Sequence, residues 1–192
     1  MSLGNRALGL ESQVQNIHAD LIERCRLGER EAYYKVYKLY SKAMFNVGFR
    51  ITGREDDAED VLQEGFISAF KNLESYRGDS SFGAWLKKIV VNKAITVLNK
   101  RKMEALPENE EWDVPEEDET LEYGNGITVE HVKKAMFQLP DGYRSVLSLY
   151  LLEGYDHQEI GDIMGITEST SKSQLNRAKS KLRELLISRK AD

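Results

Sequence analysis

Cysteine occurs once in the 192 residues, at Cys25, so an internal disulfide and a cysteine-rich zinc site are both excluded and a reducing cytoplasm is the expected setting. Proline is almost as scarce, at 3 against 14 glycines, which excludes collagen-like and proline-rich architectures. Long apolar runs are missing: the longest, Leu149-Tyr150-Leu151-Leu152, falls far short of the roughly 20 residues a membrane helix needs, and no membrane insertion is expected. The N-terminus lacks the basic start and apolar stretch of a secretory signal, and residues 1–12 read as disordered. The histidines, His18, His131 and His157, are scattered and offer no metal-ligand spacing. Also lacking is a strong charge of one sign, since 27 Lys and Arg face 32 Asp and Glu for a net −5, a balance that looks unpromising for a nucleic-acid binder. What is present is 41% hydrophobic and 9% aromatic residues, enough for packed cores and too much for a wholly disordered chain. At roughly 150 residues per domain, the length fits one large or two small domains.

The net charge hides a sharp segregation. Residues 1–70 carry 9 basic and 11 acidic groups, residues 71–103 carry 8 and 2, residues 104–126 carry 0 and 10, and residues 127–192 carry 10 and 9. From Ser169 to Lys190 there are 7 basic groups against the single acid Glu184. Two basic stretches therefore flank one acidic insert. That insert, 104–126, holds two of the three prolines and no sustained period. Repulsion among its carboxylates disfavours compaction, so it reads as a flexible linker, with docking of Trp112, Val114 and Leu121 on a neighbouring domain as the alternative.

Both flanks read as helical. Val14, Ile17, Leu21, Ile22 and Cys25 recur at spacings of three and four, and Gly28 supplies a stop. A second helix is expected from Glu29 through Ile51, with Ala32, Tyr33, Val36, Leu39, Tyr40, Ala43, Met44 and Val47 on one side and Gly53 at its end. A third spans Asp56 to Leu73 and a fourth Phe82 to Lys102. Strand signals are absent, so the fold class is all-α: a four-helix bundle over 13–103, the linker, and a second small helical domain over 127–192.

In the third helix, an advance of 100° per residue places Asp57, Asp60 and Glu64 on one face and Ala58, Leu62, Phe66, Ala69 and Phe70 on the other. The anionic face is either a solvated surface or a docking face for a cationic partner helix. A metal or acid–base site is disfavoured, because one helix supplies all the carboxylates and no second ligand set is visible. Between Tyr76 and Lys93, aromatics and cations surround a Gly/Ser loop, the combination that stacks unpaired bases and attracts phosphates. Phe82, Trp85, Leu86 and Ile89 match helical core spacing; Tyr76, Arg77, Ser80, Lys88, Asn92 and Lys93 are the surface candidates.

The C-terminal part reads as a helix from Val129 to Gln138, stopped at Leu139-Pro140, another from Gly142 to Leu152, and then a helix-turn-helix from Gly154 to Leu175. Gly161 is small where two helices cross, Gly165 sits in the turn, Ile160, Met164, Ile166 and Leu175 supply buried contacts, and Thr167 can cap the second helix. That helix presents Lys172, Ser173, Gln174, Asn176, Arg177 and Lys179, side chains able to reach base edges and phosphates in a major groove.

Taken in order, Asp57-Ala58-Glu59-Asp60 with Gln63-Glu64 and Phe66, Phe82-x-x-Trp85-Leu86 with Ile89 and Asn92, a linker, Leu139-Pro140, Glu159-Ile160, Gly165-Ile166, and Thr170-x-Lys172-Ser173 with Arg177-Ala178 resemble an extracytoplasmic-function (group IV) sigma factor of the sigma-70 family over residues 20–187. The resemblance implies a sigma-2 bundle and a sigma-4 helix-turn-helix domain. It implies that Asp57, Asp60, Gln63, Glu64 and Phe66 dock on the β′ clamp of core RNA polymerase, that Tyr76 to Lys93 open and capture the −10 element, and that Lys172, Ser173, Gln174, Asn176 and Arg177 read the −35 element. Core RNA polymerase (β′ clamp and β flap), promoter DNA and an anti-sigma factor are the implied partners, with no cofactor, metal or catalytic residue. Three positions depart from the pattern: Thr96 stands where the family usually has Asp, Ser171 where it usually has Val, and Gln174 where it often has Arg. The first two put local packing in question, and the last two bear on which −35 sequence is read. The competing readings are a helix-turn-helix regulator acting on duplex DNA without docking on polymerase, and a metal-dependent hydrolase using Asp56 to Glu64.

Overall fold

The computed structural model of the chain describes residues 18–104 and 127–188. The expected N-terminal disorder, the start of the first helix at Val14, the acidic linker beyond Glu104 and the last cations, Arg189 and Lys190, lie outside the described residues. All the regular structure among the described residues is helical, as expected: α1 (18–26), α2 (Arg30–Thr52), α3 (Glu55–Lys71), a 3₁₀ turn at Leu73–Ser75, α4 (Phe82–Glu104), α5 (Val129–Met136), α6 (Asp141–Leu151), α7 (His157–Met164) and α8 (Glu168–Ser188). These group into two compact units, one within Met1–Gly48 and Ala58–Lys93, the other within Phe49–Asp57 and Ala94–Asp192.

In the first unit the apolar stripes of the sequence become the core. Leu21, Ile22 and Cys25 of α1, Ala32, Val36, Met44 and Val47 of α2, Ala58, Val61, Leu62, Phe66 and Ala69 of α3, and Phe82, Leu86, Val90 and Val91 of α4 are all buried. Burial pushes the Cys25 thiol up to about 11, which makes it a packing residue and not a reactive one. The periodicity misplaces two positions on α2: Leu39 is 52% exposed and Ala43 is also exposed. The buried stripe of a real helix follows the neighbour it packs on, and here it narrows to the line Ala32, Val36, Met44 and Val47. Thr96 is exposed as well, so the departure at that position does not touch the core.

The second unit is organised around a buried arginine. Arg144 of α6 is 4% exposed, and its guanidinium donates to the carbonyls of Leu139 (3.0 Å), Ile51 (3.2 Å) and Thr52 (3.0 Å) and to the Asp141 carboxylate. The last carbonyls of α2, which have no partner within the helix, are thereby satisfied by a cation at the negative end of the helix dipole. Gly53, at φ +71°, follows directly, and a Cβ there would lie 2.5 Å from the guanidinium carbon. The glycine is therefore required twice, for its left-handed backbone and for the space it leaves. Arg101 donates to the Thr52 carbonyl (2.6 Å) and pairs with Asp57 (3.2 Å), and Arg50 pairs with Glu153.

The helix-turn-helix forms from α7 and α8. Asp156 caps α7 by accepting from the Glu159 amide (2.8 Å), while the Glu159 carboxylate accepts from the Asp156 amide (2.9 Å), a reciprocal capping box. Gly165 ends the helix at φ +68°. Thr167 caps α8 as expected, accepting from the Thr170 amide (3.0 Å). The Gly161 carbonyl accepts from the Ile166 amide (3.0 Å), and a Cβ on Gly161 would lie 2.8 Å from the Ile166 oxygen, so it is the turn that comes too close for a side chain. Ile160, Leu175 and Ala178 are buried in this crossing, while Met164 and Ile166 are half-buried.

Two substitutions test these constraints. Gly161→Val, whose branched side chain meets a backbone oxygen, is expected to lower stability by about 1–3 kcal/mol, read from denaturant midpoints. Arg144→Met leaves buried carbonyls without donors and is expected to cost roughly 1–3 kcal/mol, read by thermal unfolding.

Candidate nucleic-acid and polymerase interfaces

On α3 the structure separates the two faces read from the sequence. Ala58, Val61, Leu62, Gly65, Phe66 and Ala69 point inward, and Asp60, Gln63 and Glu64 are exposed on the opposite side. Two of the expected docking residues stand apart from this strip. Phe66 is 3% exposed, its ring packed 4.9 Å from Tyr37 and 5.6 Å from Phe70, so it shapes the face from beneath and does not present a surface. Asp57 is half-buried and engaged by Arg101 and, at 3.7 Å, by Arg54. Glu64 forms an ion pair with Lys93 of α4 at 3.1 Å, which sets a candidate docking residue against a candidate DNA contact.

The loop from Tyr76 to Ser81 is held open by aromatic packing. Tyr76 lies 5.4 Å from Phe82 edge-on and 5.4 Å from Trp85, and Tyr40 packs on Phe82 from the other side at 5.4 Å. The Tyr76 hydroxyl donates to the Ser80 carbonyl (2.8 Å), and Arg26 of α1 donates to the Tyr76 carbonyl (2.5 Å). Tyr40 in turn bonds its hydroxyl to His18 Nδ1 at 2.6 Å. Burial pushes the hydroxyls of both Tyr40 and Tyr76 above the usual tyrosine range, so both act as neutral hydrogen-bonding groups. Among the −10 candidates, Tyr76 is therefore a half-buried brace of the loop, while Arg77, Ser80, Lys88 and Asn92 are exposed and Lys93 is partly so. Phe82 and Leu86 are core as the spacing indicated; Trp85 and Ile89 are half-buried. The bracing roles of Arg26 and His18 had no signal in the sequence, because both lie far along the chain from the loop they support.

On α8 the inward arc is Ser171, Leu175 and Ala178, all buried. At 100° per residue Ser173, Asn176 and Arg177 lie opposite that arc, with Lys172 and Lys179 together on one flank, and all five are exposed. Gln174 falls on the flank of the buried arc: its carboxamide oxygen is buried, 3.7 Å from where a Cβ on Gly142 would stand. Lys172 pairs with Glu168 at 2.7 Å, and the Ser173 hydroxyl donates to the Ser169 carbonyl (2.7 Å). The arrangement suits insertion of one helix face into a groove, with five polar side chains presented and a sixth turned toward α6. No group of three or more His, Cys, Asp and Glu among the described residues could hold a metal, and no helix among them is long and apolar enough to cross a membrane.

Known proteins match both parts of the chain. The family described as Sigma-70 region 2 matches residues 36–103, and Sigma-70, region 4 matches residues 130–182. An ECF RNA polymerase sigma-E factor of Salmonella typhimurium (strain 14028s) is 30% identical over 173 residues, covering 83% of this chain and 88% of that protein. The ECF RNA polymerase sigma factor SigE of Mycolicibacterium smegmatis is 30% identical over 157 residues, covering 79% of this chain and 60% of that longer protein. Among solved structures, the sigma factor RpoE from Bartonella quintana, in complex with the anti-sigma factor NepR, has a TM-score of 0.54 at 24% identity, covering 81% of this chain and 96% of that one, a likeness of fold. With both sigma-70 regions in order, the first over the helices of the N-terminal part and the second over the helix-turn-helix, this chain belongs to the extracytoplasmic-function sigma factors of the sigma-70 family.

Proposed function

We propose that this sigma factor divides promoter recognition between a region 2 domain at 13–103 and a region 4 domain at 127–192, joined by the acidic linker. Asp60, Gln63 and Glu64, with Asp57 at the margin and Phe66 beneath, form the face that docks on the β′ clamp of core RNA polymerase. Arg77, Ser80, Lys88, Asn92 and Lys93, on the loop and helix braced by Tyr76, receive the unpaired −10 strand. Lys172, Ser173, Asn176, Arg177 and Lys179 read the −35 element, and Gln174 contributes by setting how α8 meets α6. The observation that carries the docking assignment is the exposure of Asp60, Gln63 and Glu64 on a helix whose opposite side is wholly committed to the core.

Physically, each domain offers few phosphate contacts, so neither holds DNA tightly alone; tethering both to one polymerase makes the second engagement intramolecular. Strand opening is then capture: stacking and phosphate contacts with the unpaired strand offset the loss of base stacking. The chain itself makes and breaks no bond, acts in the cytoplasm, and is held in check by an anti-sigma factor, as the Bartonella relative is bound by NepR. The β flap is the second polymerase contact in this scheme.

Replacing Asp60 and Glu64 together by Asn and Gln removes two charges at the docking face. Affinity for core polymerase is expected to fall by about 1–2 kcal/mol, roughly 5- to 30-fold, in co-migration or anisotropy titrations. Unchanged affinity would overturn the assignment of this face to polymerase docking. For the −35 contact, Arg177→Ala is expected to cost about 1–3 kcal/mol of discrimination between promoter sequences, measured by run-off transcription with the holoenzyme.

A further inference from the structure

Ser171 is the position where an aliphatic residue would be expected, and the structure shows what takes up its hydroxyl. It is fully buried on the inner arc of α8, at 0% exposure, where an unsatisfied hydroxyl is costly. Its Oγ lies 2.9 Å from Nδ1 of His157, the first residue of α7. The same imidazole stacks on Tyr150 of α6, with centroids 4.6 Å apart and planes 20° from parallel. One ring therefore touches all three helices of the helix-turn-helix domain that frame the DNA-facing surface: its own, α6 through a face-to-face contact and α8 through a hydrogen bond.

We infer that His157 is a positioning residue for promoter recognition: its bond to Ser171 fixes the rotation of α8 about its own axis and so the aim of Lys172, Asn176, Arg177 and Lys179. This rests on the reading of α8 as the −35 helix. The apolar contacts of Ile160, Leu175 and Ala178 hold α8 against α7 but are not directional, and such contacts tolerate small rotations. A hydrogen bond is directional. At the roughly 6 Å radius of a helix with its side chains, a 10° rotation moves an outward atom by about 1 Å, enough to spoil a bidentate contact with a base edge. Because imidazole and hydroxyl can each donate or accept, the bond survives a change of tautomer with the donor role exchanged. Tyr150 restrains the ring itself, so the bond is made by a group that is already oriented.

The test is selection by holoenzyme, reconstituted from the full chain and core polymerase, on a promoter pool randomised across the −35 element. His157→Phe keeps a ring to stack on Tyr150 but loses the bond, and Ser171→Ala loses it from the other side. Each is expected to reduce preference for the selected over the unselected sequences about fivefold, the size of one net hydrogen bond, with core association and total DNA bound unchanged. The double variant is expected to be no worse than either single one, and His157→Asn, which places a donor and acceptor near the Nδ1 position, to restore most of the preference. Selection by the wild type that both single variants leave intact overturns the inference alone. A pool that the wild-type holoenzyme does not sort at all overturns the −35 reading of α8 on which it rests.

Discussion

The turn between α7 and α8 brings the Ile166 carbonyl so near Gly161 that no side chain fits between them. The usefulness of the C-terminal domain follows from that approach. It lets the Ile166 amide bond back to Gly161, which closes the turn, while the left-handed Gly165 reverses the chain within it. With the turn closed, the capping box of Asp156 and Glu159 fixes where α7 begins, and the Thr167 cap fixes where α8 begins. Those two starting points and the buried crossing of Ile160 with Leu175 determine which arc of α8 is left outside. The cations that face outward do so as the remainder of a packing problem already solved on the other side.

Much of this was legible in the sequence, because it depends on local rules. Helix boundaries follow from Gly28, Gly53, Gly165 and Pro140, and the two faces of α3 follow from a 100° advance per residue. The spacing Asp156-x-x-Glu159 carries the signature of a capping box and was open to the same reading. What was not legible depends on distance along the chain. No periodicity announces that Arg144 will close the end of α2, since its acceptors Ile51 and Thr52 lie more than 90 residues earlier. The same holds for His157 with Ser171 and for Glu64 with Lys93. Leu39, Phe66 and Gln174 illustrate a different limit: hydrophobicity and polarity give a side chain's preference, whereas its exposure is set by which neighbour arrives. Leu39 finds none and stays outside; Phe66 is covered by Tyr37 and Phe70; Gln174 is turned toward α6 although its type suits a base edge.

The two units use polar groups differently. In the first, the loop from Tyr76 to Ser81 is stiffened mainly by rings and by single hydrogen bonds at its margins, from Arg26 to the Tyr76 carbonyl and from the Tyr76 hydroxyl to Ser80. Such bracing leaves the loop's own cations and hydroxyls outward. In the second, one buried guanidinium serves three carbonyls and a carboxylate, while Ser148 Oγ and Gln174 Oε1 are buried without a hydrogen bond. The loop of the first unit thus rests on aromatic contacts with hydrogen bonds at its margins, and the end of α2 in the second rests on directional bonds from one side chain.

Under the proposed assignment of Lys93 to DNA and Glu64 to polymerase, the ion pair between them changes how salt acts on this protein. A lysine that reaches a phosphate from bulk solvent displaces a condensed cation from the DNA, and each such displacement steepens the fall of affinity with ionic strength. Lys93 starts from a carboxylate instead. Moving it to DNA strands a negative charge beside the strand, which retains a small cation in its place, so the pair releases less than one ion to solution. The salt slope of the free protein therefore undercounts its cationic contacts by the share of Lys93, and polymerase bound at Glu64 restores that share by supplying the missing positive charge.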